Sequence, residues 1–323
     1  GMTQIFGFLL RRALAGMLTI IGAVALLFLL IQFVPGDLAS VLYGPRATPE
    51  LRIILAERMG LDRSIPEQLG LFLSRALRGD FGVDVISGRP ILQMIVDVLP
   101  NTLTLAFAAL GLSLLLGVPL GALAAVRPGS LADRVLGVFS VVLITTPSFV
   151  IAILLLLVFS LALDWLPVAG AGATGDPIDQ MLHLILPTTA LALGWVGYLA
   201  RLVRAALLEV LGEQHVRTLR AYGVSEWRIL LIYAMRPALI PVVAILGVAL
   251  GDLIGSALFA EMIFARPGIG TLSYNAVASR NFAVVQAATV IIVLVYVTAN
   301  IGVEIISGLL DPRFRRAVTR DGA

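Results

Sequence analysis

The chain has 323 residues, 59% of them hydrophobic and 13% charged, with a mean hydropathy of +1.01. A soluble domain carries about 25% charged residues, so an ordinary water-soluble domain is excluded and the chain belongs in a membrane. The net charge is +3, and the basic residues are spread among loops rather than gathered in a patch for nucleic acid. Gly1 precedes Met2 and is set aside as an extension foreign to the fold.

A membrane-spanning helix needs about 20 mostly apolar residues. The first candidate span is Ala13 to Val34, after Arg11 and Arg12. Its apolar run exceeds the roughly 7–15 residues of a signal-peptide core, so it reads as an uncleaved anchor. Further spans are predicted within Leu103–Val126, Val135–Leu163, Leu182–Ala200, Ala238–Ala260 and Ala283–Ile306. Six spans place both termini on one side. That side carries Arg11, Arg12, Arg127, Arg134, the arginines of the loop after the fourth span, and Arg313, Arg315, Arg316 and Arg320. The short loops opposite carry only Arg266 and Arg280, so both termini are expected in the cytoplasm.

Between the first two spans, residues 35–99 read as a small external helical segment. Thr48-Pro49 suits a helix start, with proline at the first helical position. Ser64-Ile65-Pro66-Glu67 has capping-box spacing and opens a helix to about Arg78. Arg89-Pro90 precedes a third apolar stretch ending near Val98. This segment reads equally well as a lid or as a docking surface for an external protein. The expected organisation is therefore 1–34 for the N-terminus and first span, 35–99 outside, 100–310 for the remaining spans with a cytoplasmic loop at 201–237, and 311–323 as a cytoplasmic tail.

The central loop is the longest charged interval between the later spans. It carries Arg201, Arg204, Arg217, Arg220, Arg228 and Arg236. Its middle runs His215, Val216, Arg217, Thr218, Leu219, Arg220, Ala221, Tyr222, Gly223, Val224, Ser225, Glu226. Gly223 can close a short helix because glycine accepts the left-handed conformation without a Cβ penalty. Ser225 can cap a second helix, with Glu226 at its positive end, and an apolar turn is expected before Arg236-Pro237. Two helices meeting at a glycine corner form either a plain solvated loop or a docking element for a soluble partner.

Val216-Arg217-Thr218-Leu219-Arg220-Ala221-Tyr222-Gly223 resembles the EAA loop of ABC-importer permeases in the dipeptide/oligopeptide/nickel family. Arg217-Thr218-Leu219 stands where the general motif has Glu-Ala-Ala, and Tyr222 where the peptide-family form usually has Lys. Further matches run along the chain: Pro35-Gly36-Asp37, Gly60-Leu61-Asp62, Gly79-Asp80-Phe81-Gly82, Leu99-Pro100-Asn101-Thr102-Leu103-Thr104-Leu105, Thr146-Pro147-Ser148-Phe149, Leu186-Pro187, Glu261-Met262-Ile263-Phe264, Pro267-Gly268-Ile269-Gly270 and Leu310-Asp311-Pro312-Arg313. Asp84 departs from the family, which often has Ser there. The resemblance implies an all-α membrane protein with six transmembrane helices in the ABC importer type I permease fold. It implies a bacterial or archaeal cytoplasmic-membrane location, a homologous second permease, two cytoplasmic ATPase subunits and an external solute-binding protein. It also implies alternating access driven through the 215–228 loop. Di- and oligopeptides are the expected solutes, with nickel chelates, glutathione and oligosaccharides as alternatives.

No enzyme activity, metal site or cofactor is expected in this chain itself. With no cysteine, no thiolate chemistry is possible, and His183 and His215 are expected on opposite sides of the membrane. Every basic residue is arginine, whereas the phosphate-binding loop of ATPases needs a lysine, so ATP and magnesium must be bound by partner subunits. Gly247, Gly251 and Gly255 fall four apart on the fifth span and read as a helix-packing stripe. Gly117 and Gly121 repeat the spacing on the second. Asp252 lies about 13 Å inside the outer end of the fifth span, where a carboxylate should face protein or water. It reads either as a structural carboxylate or as part of the translocation path. The different-class alternative is an ion-coupled secondary transporter, which would carry its coupling on ionisable residues at mid-membrane, where only Asp252 lies well inside a span; a structural scaffold would need neither the glycine corner nor the arginine loop.

Overall fold

In lipid every backbone polar group must be satisfied within its own segment, so the apolar runs fold as helices. The computed structural model describes residues 2–32, 48–50, 53–54, 57 and 63–310. The motifs at Pro35-Gly36-Asp37, Gly60-Leu61-Asp62 and Asp311-Pro312-Arg313 lie outside the described residues. Pro49, Glu50, Ile53, Ile54 and Glu57 are helical.

The described helices, in chain order, are α1 (Met2–Gln32), α2 (Ile65–Ala76), α3 (Ile91–Val126), α4 (Leu131–Thr145), α5 (Ser148–Leu155), α6 (Pro177–Leu211), α7 (Gln214–Ala221), α8 (Glu226–Arg228), α9 (Met235–Ala238), α10 (Ile240–Ile263), α11 (Ile269–Ala278) and α12 (Phe282–Leu310). Among them, five are long and apolar enough to cross a membrane, or six if α4 and the stretch Ser148–Ala162, which is α5 continued by a π-helical segment at Leu156–Ala162, are counted as one span. The only β pairing among the described residues is an isolated bridge between Val83 and Pro90.

Three elements differ from the expected pattern. The external stretch to Val98 and the span from Leu103 are one helix of 36 residues. Pro100 removes a single N–H donor, and the apolar residues on both sides carry the helix through it. At 1.5 Å per residue α3 is about 54 Å long, far more than the roughly 30 Å hydrocarbon layer. Arg89 and Asp97 form a 2.6 Å ion pair at its start. The span expected at Val135–Leu163 is a bent pair, with α4 and α5 meeting at 101° around Thr146-Pro147. Pro147 favours extended backbone before it, and Thr146 has ψ 120°. The third difference is α11, a short helix between the last two spans that hydropathy alone did not reveal.

The chain divides into two compact units, Gly1–Thr102 with Pro267–Thr298 and Leu103–Arg266 with Ala299–Ala323. In the first, Ile91 and Ile95 of α3 pack with Ile269 and Ala276 of α11 and with Val284, Val285, Ala287 and Ala288 of α12. Thr102 Oγ1 accepts the Ile269 N–H at 2.9 Å and so satisfies a donor at the start of α11. A second cluster joins Val24 and Phe28 of α1 to Leu69 and Phe72 of α2. The capping box forms in an altered way. Glu67 accepts both the Ser64 N–H at 3.1 Å and the Ser64 hydroxyl at 2.8 Å, so the hydroxyl turns to the carboxylate instead of the helix.

Asp84, the departure from the family pattern, is a buried knot. Its carboxylate accepts N–H groups of Ile86 and Ser87, the Ser87 hydroxyl, and Asn281 Nδ2 at 2.5 Å. Burial pushes its pKa up, but these hydrogen bonds outweigh burial and hold it below the ordinary aspartate range.

The second unit is organised on α6. Ala122 and Ala125 of α3, Leu199, Val203 and Leu207 of α6, and Ala238 and Val242 further on form one core. Glycines permit the close approach. A Cβ on Gly121 would stand 2.5 Å from the Ala200 carbonyl and 2.8 Å from Val203 Cβ. On Gly197 it would stand 2.7 Å from the Ser140 carbonyl of α4. Ser113 bridges α3 to α6 by donating to Ala109 O at 2.7 Å and Ala192 O at 3.2 Å. Asp133 accepts Arg204 Nε at 2.5 Å and Nη2 at 2.8 Å, tying the start of α4 to α6. Ala260 and Glu261 are buried at the end of α10, and the Arg266 N–H closes the turn on the Glu261 carbonyl at 2.8 Å.

Gly121→Ala is expected to destabilise the protein in detergent by about 1–3 kcal/mol through overpacking. Gly111→Ala is its control: no atom stands within 4 Å of that Cβ position, so the change is expected to be neutral or stabilising by up to about 1 kcal/mol. Thermal unfolding of the two variants measures the difference. Asp84 gives a pH dependence. Because its folded pKa is the lower one, its contribution is present above the unfolded value of about 3.9 and is lost as pH falls through the folded value. Limited proteolysis of the 80–90 region is expected to accelerate below about pH 4, and Asp84→Ala to show that faster cleavage already at neutral pH.

Candidate functional site

Two features of the second unit carry the predicted site residues: the corner at Gly223 and a cavity beside Asp252. The corner begins with α7, whose Val216 is fully buried while His215, Arg217, Thr218 and Arg220 are exposed. Ala221 ends the helix and Tyr222 follows. The Gly223 N–H donates to Arg220 O at 2.9 Å and the Val224 N–H to Leu219 O at 3.1 Å. That pair of bonds is a Schellman close, which places Gly223 at the left-handed position; its φ is +77°.

The two sides of the corner are clamped by charge. Arg220 Nε donates to Glu226 Oε1 at 2.7 Å, and Nη2 to Oε2 at 3.1 Å. This bidentate geometry is the strong form of the pair. The hydrogen bond from Arg220 holds the Glu226 carboxyl below the ordinary glutamate range, and the same bond raises the Arg220 guanidinium. Ser225 occupies the cap position with extended backbone, but its hydroxyl makes no cap hydrogen bond. His215 Nδ1 lies 3.0 Å from Glu213 Oε2.

The expected apolar turn after the corner is helical instead. α8 passes into a π-helical turn, Ile229–Ala234, then into α9 and, after Leu239, into α10. Pro237 and Pro241 each lack a donor, which loosens the ladder just there. Ile229, Leu230 and Ala234 are buried, Leu230 and Ala234 against α6, and α7 packs on the same π-helical turn. Tyr222, 83% exposed, and Trp227, 62% exposed, stand out from the corner. Arg201 and Arg204 are not in the loop: α6 continues to Leu211, and Arg204 is held by Asp133.

The cavity has a volume of about 310 Å³. Its polar lining is Thr146, Ser148, Trp195, Tyr198, Asp252 and Ser256, backed by Ile144, Ile151, Leu191 and Leu253. The bend at Pro147 opens it, since α4 and α5 turn away from each other there. Asp252 Oδ2 accepts Trp195 Nε1–H at 2.9 Å. Trp195 and Tyr198 meet edge to face, with ring centroids 5.3 Å apart. Hydropathy reading missed the aromatic pair, although the run Gly194-Trp195-Val196-Gly197-Tyr198 sets two large rings among small residues within an apolar span.

The three glycines of α10 have different surroundings. A Cβ on Gly247 would collide with the Asn300 side chain of α12. Gly251 is half-buried, and Gly255 is exposed with nothing within 4 Å of its Cβ position. Among the described residues, no group of three or more His, Asp or Glu side chains is placed to hold a metal ion. His183 Nδ1 lies 2.8 Å from the Asp179 carbonyl.

The comparisons with known proteins agree with this architecture. The family described as "Binding-protein-dependent transport system inner membrane component" matches residues 117–316, and its N-terminal counterpart matches residues 5–106. A probable peptide ABC transporter permease protein, y4tP of Sinorhizobium fredii, is 35% identical over 309 residues, covering 95% of this chain and 99% of that one. The probable D,D-dipeptide transport system permease protein DdpB of Escherichia coli is 33% identical, covering 96% and 98%. A glutathione transport system permease protein, GsiC of Salmonella choleraesuis, is 32% identical, covering 95% and 98%. Among solved structures, a chain of the inward-facing MetNI methionine ABC transporter superposes with a TM-score of 0.56 at 19% identity, covering 69% of this chain and 98% of that one. The fold is that of an ABC importer permease. Matched by family along most of its length and by relatives of one-third identity from end to end, the chain belongs to the inner membrane components of binding-protein-dependent transport systems.

Proposed function

We propose that this chain forms part of the translocation path of an ATP-driven importer of di- and oligopeptides, and that the Gly223 corner couples it to the ATPases. Its partners in this reading are a homologous permease, two cytoplasmic ATPase subunits and an external solute-binding protein. The chain supplies no catalysis; the family is one of membrane subunits. The peptide reading rests on relatives named for peptide, D,D-dipeptide and glutathione transport, and glutathione is itself a peptide. The chain sits in the cytoplasmic membrane with both termini inside, and residues 35–99 face the external partner.

The observation that carries the coupling role is continuity. From Glu226 the backbone runs through the π-helical turn and α9 into α10, the helix bearing Asp252. A corner clamped by Arg220 and Glu226 and seated on buried Val216 and Ile229 can pass on a rigid-body shift; a flexible loop would dissipate it. The exposed Tyr222, Trp227 and Arg217 give a docking face of aromatic and arginine side chains, types enriched at interfaces. In alternating access, closure of the ATPase pair displaces the corner, and the attached helices reorient around the path. Gly255, open in the single chain, suits a close approach by the partner permease.

Gly223 tests this. No atom crowds its Cβ position, so a substitution there meets backbone strain alone. Gly223→Val is expected to cost about 1–2 kcal/mol at the corner and to abolish most solute-stimulated ATPase activity of the assembled transporter at normal membrane insertion. Gly223→Asn, which tolerates the left-handed conformation, is expected to retain it. Wild-type uptake by the Val variant at equal expression would reduce the corner to a connector. The purified chain, verified free of ATPase subunits by mass spectrometry, is expected to hydrolyse no ATP above background, because it has no phosphate-loop lysine.

A further inference from the structure

The cavity beside Asp252 has a composition suited to one kind of chemical group. Its wall offers a carboxylate, two aromatic rings and three aliphatic hydroxyl groups, those of Thr146, Ser148 and Ser256. No arginine or histidine lines it, and among the described residues no basic side chain pairs with Asp252. A carboxylate placed inside a span is costly unless it meets water, a donor or a cation. Trp195 supplies one neutral donor to Oδ2. That bond fixes the direction of the carboxylate and leaves Oδ1 free to accept.

The aromatic pair narrows the choice further. The Trp195 N–H is committed to Asp252, and its ring meets Tyr198 edge to face. Indole and phenol faces attract cations through their quadrupoles, most strongly where water is scarce. A single metal ion would want more oxygen ligands than one carboxylate and a few hydroxyls provide. An organic ammonium wants what is here: one carboxylate oxygen, hydroxyl acceptors for its other N–H bonds, and ring faces for its charge. A volume of about 310 Å³ lies at the small end of ligand pockets, which run about 300–1,000 Å³, and fits one end of an extended peptide rather than the whole of it.

We infer that Asp252, Trp195 and Tyr198 form a way-station for the primary ammonium of the solute, holding the amino terminus of a peptide inside the membrane. The inference rests on the peptide-import reading for its solute but not for its chemistry. Asp252 receives the charge, the rings shield it, and Trp195 keeps the carboxylate aimed into the cavity.

The decisive experiment compares a dipeptide bearing a free amine with the same dipeptide N-acetylated. Both are taken up by the assembled transporter in proteoliposomes, and the ratio of their uptake rates at low concentration is read. Asp252→Asn removes the charge and keeps the volume. It is expected to lower the ratio of free-amine to acetylated uptake about tenfold, the scale of a charge-assisted contact with cation–π support. A merely structural carboxylate would depress both rates equally, and an unchanged ratio overturns the proposal. Tyr198→Leu, which leaves the carboxylate in place, is expected to lower the ratio about threefold by removing one ring.

A second measurement is independent of transport. Tryptophan emission of the full wild-type chain in lipid nanodiscs is titrated with butylammonium, with butanol as the uncharged probe of equal length. Saturable quenching by butylammonium alone, absent in Trp195→Phe, supports the site. Equal response to both probes, or none, overturns it even if an Asp252 variant fails to assemble. If the wild-type transporter moves neither dipeptide while butylammonium still binds, the peptide reading falls and the ammonium site stands.

Discussion

The close approach of α3 and α4 to α6 is the constraint on which the second unit depends. Lipid offers no hydrophobic drive for helices to associate, so packing must come from contact between backbones that small residues permit. Gly121 and Gly197 supply that contact from α3 and from α6 itself, each against a carbonyl of the neighbouring helix. Side-chain polar groups then lock what the glycines bring together. Ser113 bonds across to the Ala192 carbonyl, and Asp133 holds Arg204 in a two-point pair. With α6 fixed on both flanks, its other surfaces are free for different tasks. One stretch, Leu199 to Leu207, seats the helices that follow the corner. Another presents Trp195 and Tyr198 to the cavity.

Much of this was legible in the sequence because the membrane imposes a simple rule. Five apolar runs became long helices near their expected positions, and the Gly223 corner took the predicted left-handed close. What escaped were features set by tertiary contact. The external stretch was expected to end near Val98 and the span to begin at Leu103, yet α3 passes through Pro100 because the apolar pattern resumes at once. The span expected at Val135–Leu163 showed nothing of the bend of 101° at Pro147 that opens a cavity. α11 is short, and its buried faces at Ile269 and Ala276 are specified by α3 and α12 rather than by its own periodicity.

The polar side chains were the least readable. Ser225 was expected to cap and does not, while Glu226, expected to complement a helix end, is taken by Arg220 across the corner. Asp84 looked like a small deviation in an external turn, but Asn281, 197 residues away in sequence, donates to it. Spacing rules address neighbours within a helical turn; they are blind to a partner so distant. The same blindness hid the bond from Trp195 to Asp252, whose residues are separated by 57 positions.

The π-helical turn at Ile229–Ala234 has a geometric consequence for the rod that joins the corner to the cavity. Such a turn accommodates one residue more than an α-helical turn. One residue corresponds to about 100° of rotation in an α-helix. The side chains of Glu226 and Trp227 are therefore out of angular phase with α10 by roughly a quarter turn relative to an uninterrupted helix. The azimuth at which the corner presents Trp227, measured against the direction in which Asp252 points, is thus set by this wide turn together with the break at Leu239. Relaxing it to ordinary α-helix would turn the helix that bears the carboxylate by about that angle relative to the corner.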